Sequence, residues 1–127
     1  MSQLLVTVES TNQHFTTNIK IGNHSLVADE PLEIGGSNKG PAPAELLLAS
    51  LGSYTAITLQ MYASHKQIPL SKVSIQLSIN EAIITRTIHL SGNITPEQKE
   101  KLLTVANKCP VHKLLTGTPL AIETLIK

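Results

Sequence analysis

The spacing of apolar residues changes several times along the chain, and each change marks an element. Up to Glu30 the runs "QLLVTVES", "HFTTNIKIG" and "HSLVADE" are short, rich in β-branched residues and separated by turn-formers such as Gly22-Asn23. In the second run Phe15, Thr17, Ile19 and Ile21 fall on one face at period two, so the three predict an antiparallel meander. "EPLEIGGSNKGPAPAE" is dense in Gly and Pro and predicts a loop. Its glycines do not have the spacing of a nucleotide-binding loop. From Pro43 the period becomes helical and stays so to about Lys66, with Pro43 suited to a first turn and Pro69 closing the connection.

At ~100° per residue, Leu46, Leu47, Leu48, Leu51, Ile57, Leu59 and Met61 cover more than half of this helix's circumference. The rest carries Ala49, Gly52, Ser53, Ala56 and Ala63. The large arc calls for a covering sheet. The small stripe admits a close backbone, which gives a reason for a mid-helix Gly that costs ~1 kcal/mol against Ala. A central helix with its own copy as close neighbour in a symmetric dimer is the expectation. Tyr54 lies opposite the small stripe, beside Leu47 and Met61.

Beyond Pro69, Val73/Ile75/Leu77/Ile79 and Ile84/Arg86/Ile88/Leu90 alternate as two strands with a turn near Asn80 to Ala82. Thr95, Pro96 and Gln98 form a capping-box start for a helix to about Asn107. "KCPVHKLL" begins a short further helix, and "PLAIETLI" predicts a last strand with Leu120, Ile122 and Thr124 on one face. The order βββ-α-ββ-α-α-β is α+β, and 127 residues suit one domain, 1–127.

Composition narrows the function. Ten Lys and Arg against nine Asp and Glu, with no basic block and only Phe15, Tyr54 and Tyr62 as aromatics, argue against nucleic acid, which needs clustered cations or stacking faces. "MSQLLVTVES" lacks the character of a signal peptide and no run matches a membrane span, so the expectation is a cytoplasmic protein without a membrane partner. A single cysteine, Cys109, allows no intrachain disulfide and fits a reducing compartment. The N-x-S/T tripeptides at Asn23 and Asn93 are read as chance.

Candidate chemistry gathers at two places. Cys109 precedes Pro110, which puts the thiol at the cap of the short helix with His112 one turn on and Lys108 and Lys113 near. These neighbours favour thiolate, while a buried, inert cysteine is the equal alternative. Two ligands at Cys-x-x-His do not make a metal site. Glu45 sits in the first turn of the long helix, where the dipole favours a carboxylate. Arg86 shares a strand face with Ile84 and Ile88; buried it needs a carboxylate, at an edge it needs nothing. His14, His24, His65 and His89 show no spacing for ligation or catalysis, and "LGSYT" lacks the second glycine of a nucleophile elbow.

Together "DEPLEIGGSNKGPAPAELLLASLGSYTAITLQMYA", "ITRTIHLSGNITPEQKEKLL" and "ANKCPVHKLL" resemble the OsmC/Ohr family of osmotically inducible and organic-hydroperoxide-resistance proteins, closest to its OsmC-like branch. The resemblance implies an intertwined homodimer with two long central helices wrapped by antiparallel sheets. It also implies a peroxidase in which a first cysteine attacks the hydroperoxide and becomes a sulfenic acid, and a second condenses with it to a disulfide. By that resemblance Cys109 holds the second position, Glu45 the activating carboxylate, and Tyr54 the place of the attacking cysteine. The arginine that active members contribute from the N-terminal strands has no match, since Arg86 is the only arginine. Glu45 and Tyr54, nine residues apart, fall on opposite helix faces. No cofactor or metal is implied. Three readings remain: a homodimer that has lost the two-cysteine cycle and binds an apolar small molecule, a one-cysteine thiol peroxidase using Cys109 with His112 and Tyr54, or a structural protein without ligand.

Overall fold

The computed structural model describes residues 5–117 and 120–127. It divides into two compact units, Met1–Leu47 and Leu48–Lys127.

In the first unit β1 (Val6–Ser10), β2 (Thr17–Ile21) and β3 (His24–Ala28) form the predicted antiparallel meander in the order β1-β2-β3. The register sets Val8 opposite Ile19 and Ile19 opposite Leu26. Phe15 is not on the strand face expected of it, because residues 11–16 form a turn: the Thr11 hydroxyl donates to the Thr16 carbonyl at 2.8 Å and accepts from the Gln13 N–H at 3.1 Å. Local side-chain bonds of this kind compete with a ladder and end it.

The Gly/Pro loop after β3 is organised by Asp29, a carboxylate only 2% exposed. It accepts from the Thr16 hydroxyl at 2.6 Å and from the N–H groups of Glu30 at 2.7 Å, Lys39 at 3.1 Å and Ser37 at 3.4 Å. The chain folds back so tightly that a Cβ on Gly36 would lie 2.0 Å from the Glu30 carbonyl oxygen, which accounts for glycine there. The Thr16 hydrogen bond, followed by the backbone donors, outweighs burial and lowers the Asp29 pKa from 3.8 to about 2.

In the second unit the hairpin of β4 (Leu70–Asn80) and β5 (Ile83–Gly92) packs with α2 (Pro96–Asn107) and the main part of α1 (Pro43–His65), and α3 (Pro110–Thr116) follows. The core is Leu59, Ala63, Ile68, Leu102 and Ala106, flanked by Val73, Ile88 and Leu90. α1 ends in a Schellman arrangement: the Ile68 N–H reaches the Ala63 carbonyl at 2.8 Å while Gln67 takes φ +56°. The capping box of α2 is formed in both directions, Gln98 N–H to Thr95 Oγ1 at 3.1 Å and Thr95 N–H to Gln98 Oε1 at 3.0 Å.

Two expectations are corrected here. The neighbour of Gly52 is not another helix but the chain's own sheet: a Cβ at Gly52 would lie 2.6 Å from Leu77 Cδ1. The buried stripe of α1 is Leu51, Gly52, Thr55, Leu59 and Ala63, leaving the large residues Tyr54, Ile57 and Met61 exposed. The inward stripe takes Gly52 and Ala63 from the small set and Leu51 and Leu59 from the large one, while Ala49 and Ser53 of the small set are exposed; Gly52 leaves room for Leu77 of the hairpin. The expected last strand is also not formed: residues 120–127 join no ladder, and Leu120, Ile122, Leu125 and Ile126 are exposed. A strand exists only where an edge supplies hydrogen bonds. Pro119 lies outside the described residues.

Because the folded pKa of Asp29 lies below the unfolded one, its stabilising contribution is complete above pH 3.8 and disappears as pH falls through about 2. Hydrogen-exchange protection of the Glu30 and Lys39 amides, corrected for intrinsic rates, should persist at pH 4 and collapse near pH 2. Asp29→Asn should weaken it already at pH 7; unchanged protection in that variant would contradict the anchoring role.

Candidate functional site around Arg86

The sequence-predicted site residues differ in their surroundings. Glu45, in the first unit, is exposed and its Oε1 accepts the Ala42 N–H at 2.8 Å. That is half of a capping box at the start of α1, a structural use of the carboxylate. Tyr54 is 43% exposed, on the open side of α1. Cys109 is 0% exposed and stands at the N-cap of α3, whose seven residues receive no side-chain cap from it. Its carbonyl accepts the Lys113 N–H at 3.0 Å. The thiol thus takes the buried form of the two weighed from sequence.

His112 is bound elsewhere than its sequence neighbour suggested. Its Nδ1 lies 3.0 Å from Nη2 of Arg86. A guanidinium only donates, so Nδ1 accepts and the ring proton sits on Nε2. The same Nη2 donates to Asn107 Oδ1 at 3.3 Å, and Nη1 donates to Thr55 Oγ1 at 3.0 Å. Thr55, fully buried, donates its own hydroxyl hydrogen bond to the Leu51 carbonyl at 2.7 Å. One side chain on β5 thereby holds the middle of α1, the end of α2 and the body of α3.

Arg86 reaches this position because Ile84, Arg86 and Ile88 point to the same side of β5, toward the helices. It matches neither sequence alternative: it is neither paired with a carboxylate nor free at an edge. The one ion pair among the described residues is Lys101 with Glu97 at 3.7 Å. The guanidinium is therefore half-buried among three neutral acceptors. The signal that could have found it was the strand alternation, which made Arg86 an inward residue. Its partners, 21 to 31 positions away, left no local trace.

Beside this cluster opens a cavity of about 230 Å³ whose walls include Leu51, Ile84, Arg86, His112 and Leu115. Among the described residues no three His, Cys, Asp or Glu side chains come together as metal ligands. Nor is any helix among them long and apolar enough to cross a membrane.

The sequence profile of the OsmC-like proteins matches residues 36–124. The chain belongs to the OsmC-like family. Its α+β architecture with antiparallel sheets is the OsmC-like fold, shared with an OsmC-like protein of Mycoplasma pneumoniae: TM-score 0.74, 19% identity, 91% of this chain and 89% of that one covered. It is also similar to the organic hydroperoxide resistance protein OsmC of Legionella pneumophila, further described as a predicted redox protein and regulator of sulfide bond formation. There the TM-score is 0.63 at 18% identity, covering 92% and 91% of the two chains. The organic hydroperoxide resistance protein OhrB of Bacillus subtilis gives 0.59 at 19% identity, over 91% and 92%. No curated protein matches. The OsmC-like chain thus shares the fold of these proteins, and its one thiol is enclosed.

Replacing Arg86 by Met leaves the fully buried Thr55 Oγ1 and the half-buried His112 Nδ1 without their donor, at about 1–3 kcal/mol for stranded polar groups, while the exposed Asn107 turns to water. Urea unfolding of Arg86→Met should show a loss of that order, and adding His112→Leu should recover part of it. A double variant no more stable than the single one contradicts the coupling.

Proposed function

We propose that this OsmC-like protein is a homodimeric relative of the organic-hydroperoxide peroxidases that no longer runs their two-cysteine cycle, one OsmC-like domain working in the cytoplasm. The observation that carries this reading is the state of the sulfur: a single cysteine, fully buried, with a phenol at the position the resemblance assigns to the attacking thiol. The cycle needs a thiolate that reaches the peroxide O–O bond, releases an alcohol and becomes a sulfenic acid, and a second thiol that expels water as the disulfide forms. Tyr54 cannot take the first part, and a chain with one thiol cannot supply both. The hydroperoxide-resistance neighbours support the ancestry. At under 25% identity they carry only the fold.

The open face of α1 supports a self-association. Tyr54, Ile57 and Met61 follow one another at i, i+3 and i+7 and are 43%, 52% and 68% exposed. An apolar strip at that spacing on an uncovered helix is the pattern that packs against a second helix. The partner that suits it is a copy of the same helix, meeting through the bulky side rather than the small stripe. An apolar small molecule between the two Tyr54 positions is the function left to such a site once the thiol is gone.

Reduced protein mixed with stoichiometric cumene hydroperoxide and a sulfenic-acid trap should show, by intact mass, Cys109 reacting no faster than a free thiol of ordinary exposure. Rapid trapping at Cys109 in the wild type would establish the one-cysteine peroxidase instead. Light scattering should give twice the chain mass of 13.7 kDa, and Met61→Lys should shift it to the monomer. A wild-type monomer contradicts the helix pairing.

A further inference from the structure

The uncompensated charge of Arg86 and the apolar cavity beside it point to a ligand that supplies both missing partners. A guanidinium carries five N–H donors. Among the described residues three of these have acceptors, all neutral, on Thr55, Asn107 and His112. The Nε donor and one on Nη1 have none there, and no carboxylate stands within ion-pair distance. A half-buried cation without a counter-ion is costly, and an anion that replaces water at the two remaining donors recovers that cost through charge-assisted hydrogen bonds.

The rest of the cavity selects what the anion is attached to. Leu51, Ile84 and Leu115 give its walls an apolar character, and its volume is about 230 Å³. His112, whose Nδ1 is committed to Arg86, offers only a neutral Nε2–H, so the ring adds a donor but no second charge. One fixed cation and a short apolar wall fit one negative charge on a short hydrocarbon tail better than a free inorganic anion. We propose that this cavity binds a small apolar monocarboxylate, with Arg86 as its counter-ion and Leu51, Ile84 and Leu115 around its tail. The site depends on neither Tyr54 nor Cys109, so it stands apart from the fate of the peroxide cycle.

The test is a titration of the isotope-labelled full chain with hexanoate, followed by NMR at the His112 ring and at the backbone amides of Ala82, Leu115 and Thr116. Hexan-1-ol and sulfate serve as the tail-only and anion-only probes. The expected result is saturable shifts with hexanoate and affinities for both controls lower by roughly tenfold or more, the ratio set by a charge-assisted contact. Ala82→Phe, at an exposed turn position on the cavity rim and outside the Arg86 hydrogen bonds, should abolish the shifts in a folded protein. Absence of saturation, equal affinity for hexan-1-ol, sulfate binding as tight as hexanoate, or an Ala82→Phe variant that binds normally each overturns the proposal.

Discussion

The contact on which the second unit most depends is the fan of hydrogen bonds from Arg86. Three helices meet the β4–β5 hairpin, and their apolar contacts would tolerate some sliding. The guanidinium would not, because its planar donors fix the directions of Thr55, Asn107 and His112 at once. Breaking the network strands Thr55 Oγ1, which burial has removed from water, and leaves the half-buried His112 to find another donor. Asp29 does the same work in the first unit with the opposite charge, gathering donors from Thr16 and from three backbone amides of the loop.

This arrangement holds the second unit together without drawing on the thiol. Cys109 is enclosed beside the network rather than aimed outward, and His112 turns its Nδ1 to Arg86. The position given to the attacking thiol carries a phenol on the open side of α1. Nothing in the fold's stability rests on a disulfide, and the buried thiol contributes as a small apolar group. What remains is a cation without a counter-ion, set beside an apolar cavity.

Local chemistry was the readable part of the sequence. The α2 capping box, the start of α1 at Pro43 and the β4–β5 alternation are settled within a few residues, and each is formed where the pattern placed it. Phe15 was misplaced because the Thr11 hydroxyl makes a turn that competes with the strand. The division of α1 into a large and a small face did not hold, since its buried stripe takes Leu51 and Leu59 together with Gly52 and Ala63; the helix period shows nothing of the Leu77 side chain that lies against Gly52. Residues 120–127 have the strand pattern without a strand, since pairing is a property of two segments. Asp29 and Arg86 were hardest to see: their partners lie up to 13 and 31 residues away, and no short-range rule links them.

The account turns on Arg86 as a donor to a His112 ring that carries its proton on Nε2. Long-range proton–nitrogen correlation spectra of the histidine rings near pH 7.5 read this directly. The prediction is an unprotonated, acceptor-type Nδ1 and a protonated Nε2 on His112, with both signals moving in Arg86→Met. A His112 ring protonated on Nδ1, or one averaging freely between the two forms and indifferent to the loss of Arg86, would contradict it.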